Sequence, residues 1–125
     1  ESDSIAATLA QLKDRGLVDD KAFANFWKDN RQSFSPRSQQ LTRLELRRKG
    51  VSAEIADQTV HGIQDEENAY QAAITKTRKI SLPDYDSFRR RLSSYLKRRG
   101  FSYGVIHHTV ERVWRERGKA CRGMK

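Results

Sequence analysis

The sequence has little cysteine and proline, and it has no long apolar run. Its 125 residues include one Cys and two Pro. Because Cys121 stands alone, no disulfide can form within the chain, which argues against a disulfide-rich secreted domain and for a reducing compartment. No segment approaches the ~20 apolar residues that a transmembrane helix needs, and the N-terminus is polar and unlike a signal peptide. We therefore expect a soluble cytoplasmic protein.

The sequence also lacks the common motifs of enzymes and metal sites. Its seven glycines form no GxxxxGK[ST] loop for phosphate. His107 and His108 are adjacent, so they point about 100° apart on a helix, one towards the core and the other to solvent. His61 has no Cys or His at metal-ligand spacing. We expect no catalytic residues, no metal and no cofactor.

What the sequence has in excess is positive charge. Lys and Arg number 25 against 16 Asp and Glu, a net charge of +9, while only 36% of the residues are hydrophobic. This composition supports thin cores rather than one deep core. The charge favours a polyanionic partner, namely nucleic acid, an anionic membrane or an acidic protein surface.

The spacing of apolar residues is helical almost throughout. Phe23, Phe26 and Trp27 follow the i, i+3, i+4 rule, and no stretch sustains the two-residue alternation of a strand. The sequence therefore predicts an all-α protein. The residues that we expect in its core are Leu12, Phe23, Trp27, Leu46, Ile55, Val60, Leu92, Leu96, Val105, Val110 and Trp114.

Glycines and capping residues mark the predicted helix boundaries. The glycines suited to the left-handed position after a helix are Gly16, Gly50 and Gly100. The candidate N-caps that follow within two or three residues are Asp19, Ser52 and Ser102. Ser35-Pro36 predicts a further helix start, and Asp86 is the expected cap after a loop at 79–86.

One segment of the sequence occurs twice in similar form. "LRRKGVSAEIADQTV" at 46–60 and "LKRRGFSYGVIHHTV" at 96–110 align at a constant offset of fifty residues. A weaker earlier copy includes Leu12 and Gly16. Each unit spans about 45–50 residues and three helices, a length typical of helical repeat arrays. We therefore predict tandem three-helix repeats in an elongated, curved array of right-handed helices.

Basic residues are concentrated in the second helix of each unit. Residues 37–49 contain five basic residues and one acidic one, and residues 88–99 contain six basic residues and no acidic one. The helix dipole explains cations just before a glycine, but it opposes the Arg89-Arg90-Arg91 triplet in a first turn. We predict a partner-binding surface that runs across the units. Its predicted residues are Arg43, Arg47, Arg48, Arg89, Arg90, Arg91, Lys97, Arg98 and Arg99.

The repeated phrase also resembles the turn of a helix-turn-helix, in which Ser would cap a recognition helix. The residues that would face the groove are poor base readers, since acidic Glu54 and Asp57 follow Ser52. A general nucleic-acid-binding protein of helix-turn-helix type therefore stays as the alternative, with contacts to phosphates rather than bases. An RNA-associated helical protein also fits the charge, but the arginines have no aromatic stacking residues among them.

Three stretches together resemble the RecX family, bacterial regulators of the RecA recombinase. They are "LKDRGLVDDKAFANFWKDNR" at 12–31, "LTRLELRRKGVSAEIADQTV" at 41–60 and "FRRRLSSYLKRRGFSYGVIHHTVERVW" at 88–114. The resemblance covers Ile5 to Arg117. It implies a non-enzymatic bacterial regulator that binds the RecA–DNA filament and inhibits its growth, ATP hydrolysis and strand exchange. It also allows contacts to single- and double-stranded DNA through phosphates, and a monomer.

The resemblance assigns the repeats as follows. Residues 1–18 would be the last helix of an incomplete first repeat, since two more helices precede it in the family. Residues 19–64 and 65–117 would be the second and third repeats, and 118–125 a basic tail. The chain departs from the family at 31–40, where it has "RQSFSPRSQQ" in place of an expected glycine-rich turn.

Overall fold

The computed structural model describes residues 7–8, 11, 19–79 and 84–123. Residues 7, 8 and 11 are helical, and no strand occurs in the described ranges. The bounded helices are α1 (Asp20–Phe34), α2 (Gln39–Arg48), α3 (Ala53–Val60), α4 (Asp65–Thr77), α5 (Tyr85–Arg98) and α6 (Tyr103–Gly123). The prediction of an all-α fold is confirmed.

The six helices form two three-helix units, each with its own core. Helices α1–α3 enclose one cluster, in which Phe23 and Leu46 are fully buried. Helices α4–α6 enclose a second, built on Phe88, Leu92 and Leu96. Each such side chain contributes roughly 1.5–3 kcal/mol on burial. The prediction of tandem helical repeats is confirmed, and we keep the names second repeat (α1–α3) and third repeat (α4–α6).

The periodicity located the cores correctly. The predicted core residues that are buried are Phe23, Trp27, Leu46, Val60, Leu92, Leu96 and Val110. Those that are partly buried and packed against a core are Ile55, Val105 and Trp114. Leu12 lies outside the described residues. The predictions omitted the alanines of α4, of which Ala69, Ala72 and Ala73 are buried; they allow α4 to approach its neighbours closely.

Most predicted helix boundaries are correct. Asp19 Oδ1 accepts the Ala22 N–H at 2.8 Å, Ser52 Oγ accepts that of Ile55 at 3.3 Å, and Ser102 Oγ accepts that of Val105 at 3.4 Å. These bonds satisfy backbone donors that the first helical turn leaves unpaired. Gly50 and Gly100 both have φ of 88°, in the left-handed region as predicted, while Gly16 lies outside the described residues.

Two predicted caps are wrong. Ser35 ends α1 rather than starting α2, because the Arg37 guanidinium donates to the Ser35 carbonyl oxygen at 3.0 Å and to its Oγ at 2.6 Å. The cap of α2 is Ser38, whose Oγ accepts from Leu41 at 3.0 Å.

The cap of α5 is Asp84, not Asp86, since its Oδ2 accepts the Ser87 N–H at 2.9 Å. That bond lowers the pKa of Asp84. At the other end of the chain, α6 continues to Gly123, past residue 117 where the third repeat was expected to end.

The two repeats meet through the linker between α1 and α2. The Ser38 N–H donates to the Arg99 carbonyl at 3.1 Å, which places the linker against the turn between α5 and α6. A Cβ atom on Gly100 would lie 2.5 Å from Ser38 Oγ and 2.7 Å from Leu41 Cβ. The contact therefore requires glycine at position 100 for space as well as for φ.

The start of α4 holds the same linker through polar side chains. Asp65 Oδ1 accepts the Gln39 N–H at 2.9 Å, so a residue of the third repeat also caps α2. Asn68 exchanges two hydrogen bonds with Gln32, at 2.6 and 2.9 Å, and donates to the Arg37 carbonyl at 3.0 Å. The segment that departs from the family pattern is thus an ordered bridge between the repeats.

Helix α6 is fastened to its own repeat by tyrosine–carboxylate bonds. Tyr70 donates to Glu116 at 2.5 Å, and Tyr85 donates to Glu111. These bonds raise the pKa of both tyrosines, and the Tyr70 bond lowers the pKa of Glu116. They join α6 to α4 and α5, which bear the candidate site.

We predict that Gly100→Ala destabilises the protein by about 2 kcal/mol or more, since it combines an unfavourable φ with displacement of Ser38 and Leu41. Gly104→Ala is the matched control. A Cβ there meets nothing within 4 Å, and alanine in a helix is favoured over glycine by up to about 1 kcal/mol. Urea unfolding measures both. Equal stability of the two variants would show that the turn at Gly100 does not constrain the fold.

Candidate anion-binding surface

Four cations line one open groove on the third repeat. The groove, about 590 Å³ in volume, is bordered by Lys76, Ser87, Arg90, Arg91, Ser94 and Arg98, and none of the described residues that line it is acidic. We call it the α4–α5 groove. It brings together three predicted residues of α5 with Lys76 of α4, which is not among the predicted residues because it lies outside the basic run.

The helical period of α5 explains why these cations share a face. Phe88, Leu92 and Leu96, four residues apart, point into the core. Arg90 and Arg98 belong to the exposed side, with about 12 Å between them along the axis. Lys76 is held near them, since its Nζ lies 5.1 Å from the Tyr95 ring centroid, an attractive cation–π distance. The groove can therefore take phosphate or carboxylate groups.

A second depression lies between α5 and α6. It has a volume of about 200 Å³ and is lined by Arg89, Ser93, Ser94, Lys97, Tyr103, Ile106, His107 and Val110. We call it the α5–α6 cleft. It brings the predicted residues Arg89 and Lys97 next to an aromatic pair. Tyr103 is 84% exposed, and its ring stacks on that of His107 with centroids 6.4 Å apart and an interplanar angle of 17°.

Two expectations are corrected here. The arginines do have an aromatic neighbour, because Tyr103 lines the same cleft as Arg89 and Lys97. Neither adjacent histidine packs against the core: His107 and His108 are both exposed. His107 stacks on Tyr103, and His108 Nδ1 lies 3.1 Å from Glu66 Oε1. The apolar positions of this turn belong to Ile106 and Val110 instead.

The other predicted residues lie apart from both depressions. Arg43 forms an ion pair with Asp57 of α3. Arg47 Nη1 donates to the Val51 carbonyl at 2.9 Å, and Arg48 is exposed. Arg99 lies 5.0 Å from the Tyr95 ring centroid. The third repeat therefore gathers five of the nine predicted residues into two neighbouring depressions, while a surface that continues across the second repeat stays a prediction.

One arginine of the basic run has a structural role. Arg37 forms an ion pair with Glu45, with side chains only 13% and 17% exposed, and burial lowers the pKa of Arg37. Trp27 Nε1 donates to the same carboxylate at 3.0 Å. Arg31 and Lys49 lie 4.3 and 5.2 Å from the Trp27 ring centroid. These contacts hold the second repeat together and leave Arg37 little freedom to bind a partner.

Within the described ranges, no group of three or more His, Cys, Asp or Glu side chains could hold a metal ion. No helix of the same ranges combines the length and the apolar character needed to cross a membrane. What the two depressions offer chemically is cations, hydroxyl groups and one exposed aromatic pair.

Two family models match the chain. The one described as RecX, second three-helix domain, matches residues 19–60, and the one described as RecX, third three-helix domain, matches residues 64–110. These ranges contain α1–α3 and most of α4–α6 respectively. No solved structure matches the chain.

Relatives named Regulatory protein RecX are similar over most of the chain. The protein of Chlorobaculum tepidum is 34% identical over 113 residues, 90% of this chain and 70% of the relative. That of Streptomyces coelicolor is 32% identical, over 89% of this chain and 61% of the relative. That of Chlorobium limicola is 29% identical, over 94% and 73%. The chain thus spans between 61% and 73% of the length of these three relatives.

We predict that the α4–α5 groove binds phosphates of duplex DNA. Replacing Arg90, Arg91 and Arg98 by Gln should reduce the slope of log affinity against log salt by up to about 2.7, since each lost phosphate contact accounts for about 0.9. Arg43→Gln should leave the slope unchanged, because Arg43 is engaged with Asp57. Binding titrations at four salt concentrations measure the slopes. An unchanged slope in the triple variant would exclude this groove as a phosphate site.

Proposed function

Since this chain belongs to the RecX family of regulatory proteins, we propose that it binds the RecA–DNA filament and inhibits filament growth, ATP hydrolysis and strand exchange. The observation that best supports a binding surface is the α4–α5 groove, in which Lys76, Arg90, Arg91 and Arg98 converge. A filament of protein on DNA is polyanionic, and the net charge of +9 favours association with it.

The proposed regulator acts by occupancy rather than by chemistry. A repeat body that lies along the filament would exclude an incoming RecA subunit from the contacts it needs. A ligand that binds one filament conformation more tightly than another shifts the filament towards the first. Inhibition of ATP hydrolysis and of strand exchange would follow, because both require the filament to change state. No cofactor is needed for this mode of action, and we propose that one monomer suffices.

The target is proposed to be composite, part protein and part nucleic acid. The groove provides four cations, so phosphate contacts alone would give modest affinity that falls steeply with salt. Acidic side chains of RecA would supply further partners for arginine, whose planar guanidinium pairs well with both carboxylates and phosphates. Binding to the filament should therefore exceed binding to naked DNA at physiological salt.

A second candidate is general nucleic-acid binding by a helix-turn-helix. It is supported by the left-handed glycines, which give the pairs α2–α3 and α5–α6 the same turn. Against it, Glu54 lies in the first turn of α3, where a recognition helix would meet phosphates. In the second repeat, Asp57 also neutralises Arg43. This candidate predicts equal binding to naked DNA and to the filament.

We predict that the variant Arg90→Glu/Arg98→Glu loses inhibition of RecA ATP hydrolysis, with filament affinity reduced about tenfold or more, because charge-assisted contacts become repulsive. Its melting temperature should change little, since both side chains are exposed and surface substitutions usually alter stability by within about 0.5 kcal/mol.

The matched control is Lys21→Glu/Arg115→Glu. These side chains are also exposed, and each reversal removes two charges, so both variants fall from +9 to +5. The control should keep inhibition. If both variants lose inhibition equally, net charge rather than the groove governs binding; if neither does, the groove is not the filament contact.

A further inference from the structure

The α5–α6 cleft contains the most exposed large apolar side chain of the described residues. Tyr103 is 84% exposed, compared with 67% for Phe34 and 42% for Leu44. Aromatic side chains usually bury most of their large surface. The Tyr103 ring instead lies nearly parallel to His107 and forms a flat aromatic edge to the cleft. Ile106 and Val110 are buried residues that line the same cleft.

The second repeat shows that the fold does not require this arrangement. At the offset of fifty residues, Ala53 takes the place of Tyr103 and Asp57 that of His107, while Arg43 takes the place of Ser93. There the Arg43–Asp57 ion pair occupies the equivalent position between α2 and α3. Both repeats have the same glycine turn. Of the two repeats, the third alone has the exposed aromatic pair. A bound ligand therefore explains the pair better than packing within the repeat does.

Two cations flank the aromatic pair. Arg89 and Lys97 both line the cleft and are exposed. They are eight residues apart on α5, which separates them by about 12 Å along the helix. Ser94 lines both the cleft and the α4–α5 groove, so the two depressions share a border. A chain of phosphates that leaves the cleft would meet further cations in the groove.

We propose that Tyr103 and His107 stack one unpaired base of a single-stranded nucleic acid, while Arg89 and Lys97 contact the phosphates on either side. Aromatic side chains interleaved with cations are the usual means of binding single strands, because every base has a face that can stack. The bases of a duplex are stacked on each other and cannot reach the cleft without being extruded. Single strands should therefore bind in preference to duplexes.

An acidic peptide is the competing occupant. It would use Arg89 and Lys97 but would gain little from the aromatic faces, whose electron density repels a carboxylate. The exposed Tyr103–His107 pair therefore favours the nucleic acid. This inference goes beyond the proposed function, because it concerns nucleic acid in the absence of any filament protein and holds or fails independently of RecA.

The test compares two single-stranded 20-mers of equal charge, oligodeoxythymidylate and its abasic analogue, at ~150 mM salt. By fluorescence anisotropy, the unmodified chain should bind the thymidylate roughly tenfold more tightly than the abasic strand. Tyr103→Ala should abolish that preference and Tyr103→Trp should retain it. Phe34→Ala, which removes an exposed aromatic of the second repeat, should have no effect. Circular dichroism checks that each variant is folded.

The phosphate contacts are tested separately. Arg89→Gln/Lys97→Gln should reduce the salt slope for the thymidylate by about 1.4, since each contact to a single strand accounts for about 0.7, while leaving the preference over the abasic strand. Equal affinity for thymidylate and abasic strands, or unchanged affinity in Tyr103→Ala, would overturn the stacking site. The stacking site would also be overturned if polyglutamate bound more tightly than the thymidylate and this binding depended on Tyr103. If the unmodified chain shows the stacking preference but does not inhibit the RecA filament, the proposed function alone is contradicted.

Discussion

The structure depends on one backbone constraint, the left-handed glycine turn between the second and third helices of each repeat. At Gly50 and Gly100 the chain adopts φ of 88°, which a residue with a side chain rarely tolerates. In the third repeat this turn connects α5 to α6, and Tyr103 of α6 lines one cleft with Arg89 and Lys97 of α5. It also presents the Arg99 carbonyl to the linker of the second repeat. The same turn thus shapes the candidate site and positions the neighbouring repeat.

The interactions that join the two repeats differ from those that stabilise each repeat. Apolar clusters lie within the second and third repeats, whereas the described contacts at the junction are largely hydrogen bonds of Ser38, Gln39 and Asn68. Hydrogen bonds are directional and contribute about 1 kcal/mol each, so they fix the angle between repeats with little apolar burial. If the protein lies along a helical filament, as we propose, its repeats need a defined relation, and such a junction would supply it.

Much of the fold could be predicted from the sequence, because helical periodicity, glycine turns and serine caps are local patterns. Helical spacing alone predicts that Phe23 and Trp27 lie in a core, and both are buried. The errors at the caps arose where a side-chain contact decides between nearby candidates: Arg37 donates to the Ser35 carbonyl oxygen, and Ser38 caps α2. The candidate site was only partly predictable because it depends on how the helices pack against one another. Counting charges along the chain found the arginines of α5, but Lys76 and Tyr103 join them only through folding. A count of charges also could not distinguish Arg43, which forms an ion pair with Asp57, from Arg90, which lines the α4–α5 groove.

We propose that the third repeat binds a composite of RecA and DNA. The most direct measurement is the affinity of the chain for immobilised single-stranded DNA, duplex DNA and ATP-loaded RecA filament on DNA, all at ~150 mM salt. Our account predicts that the filament is bound much more tightly than either naked DNA, because carboxylates and phosphates are both available to the groove. Equal affinity for naked DNA and filament would contradict it and would identify a general nucleic-acid-binding protein instead.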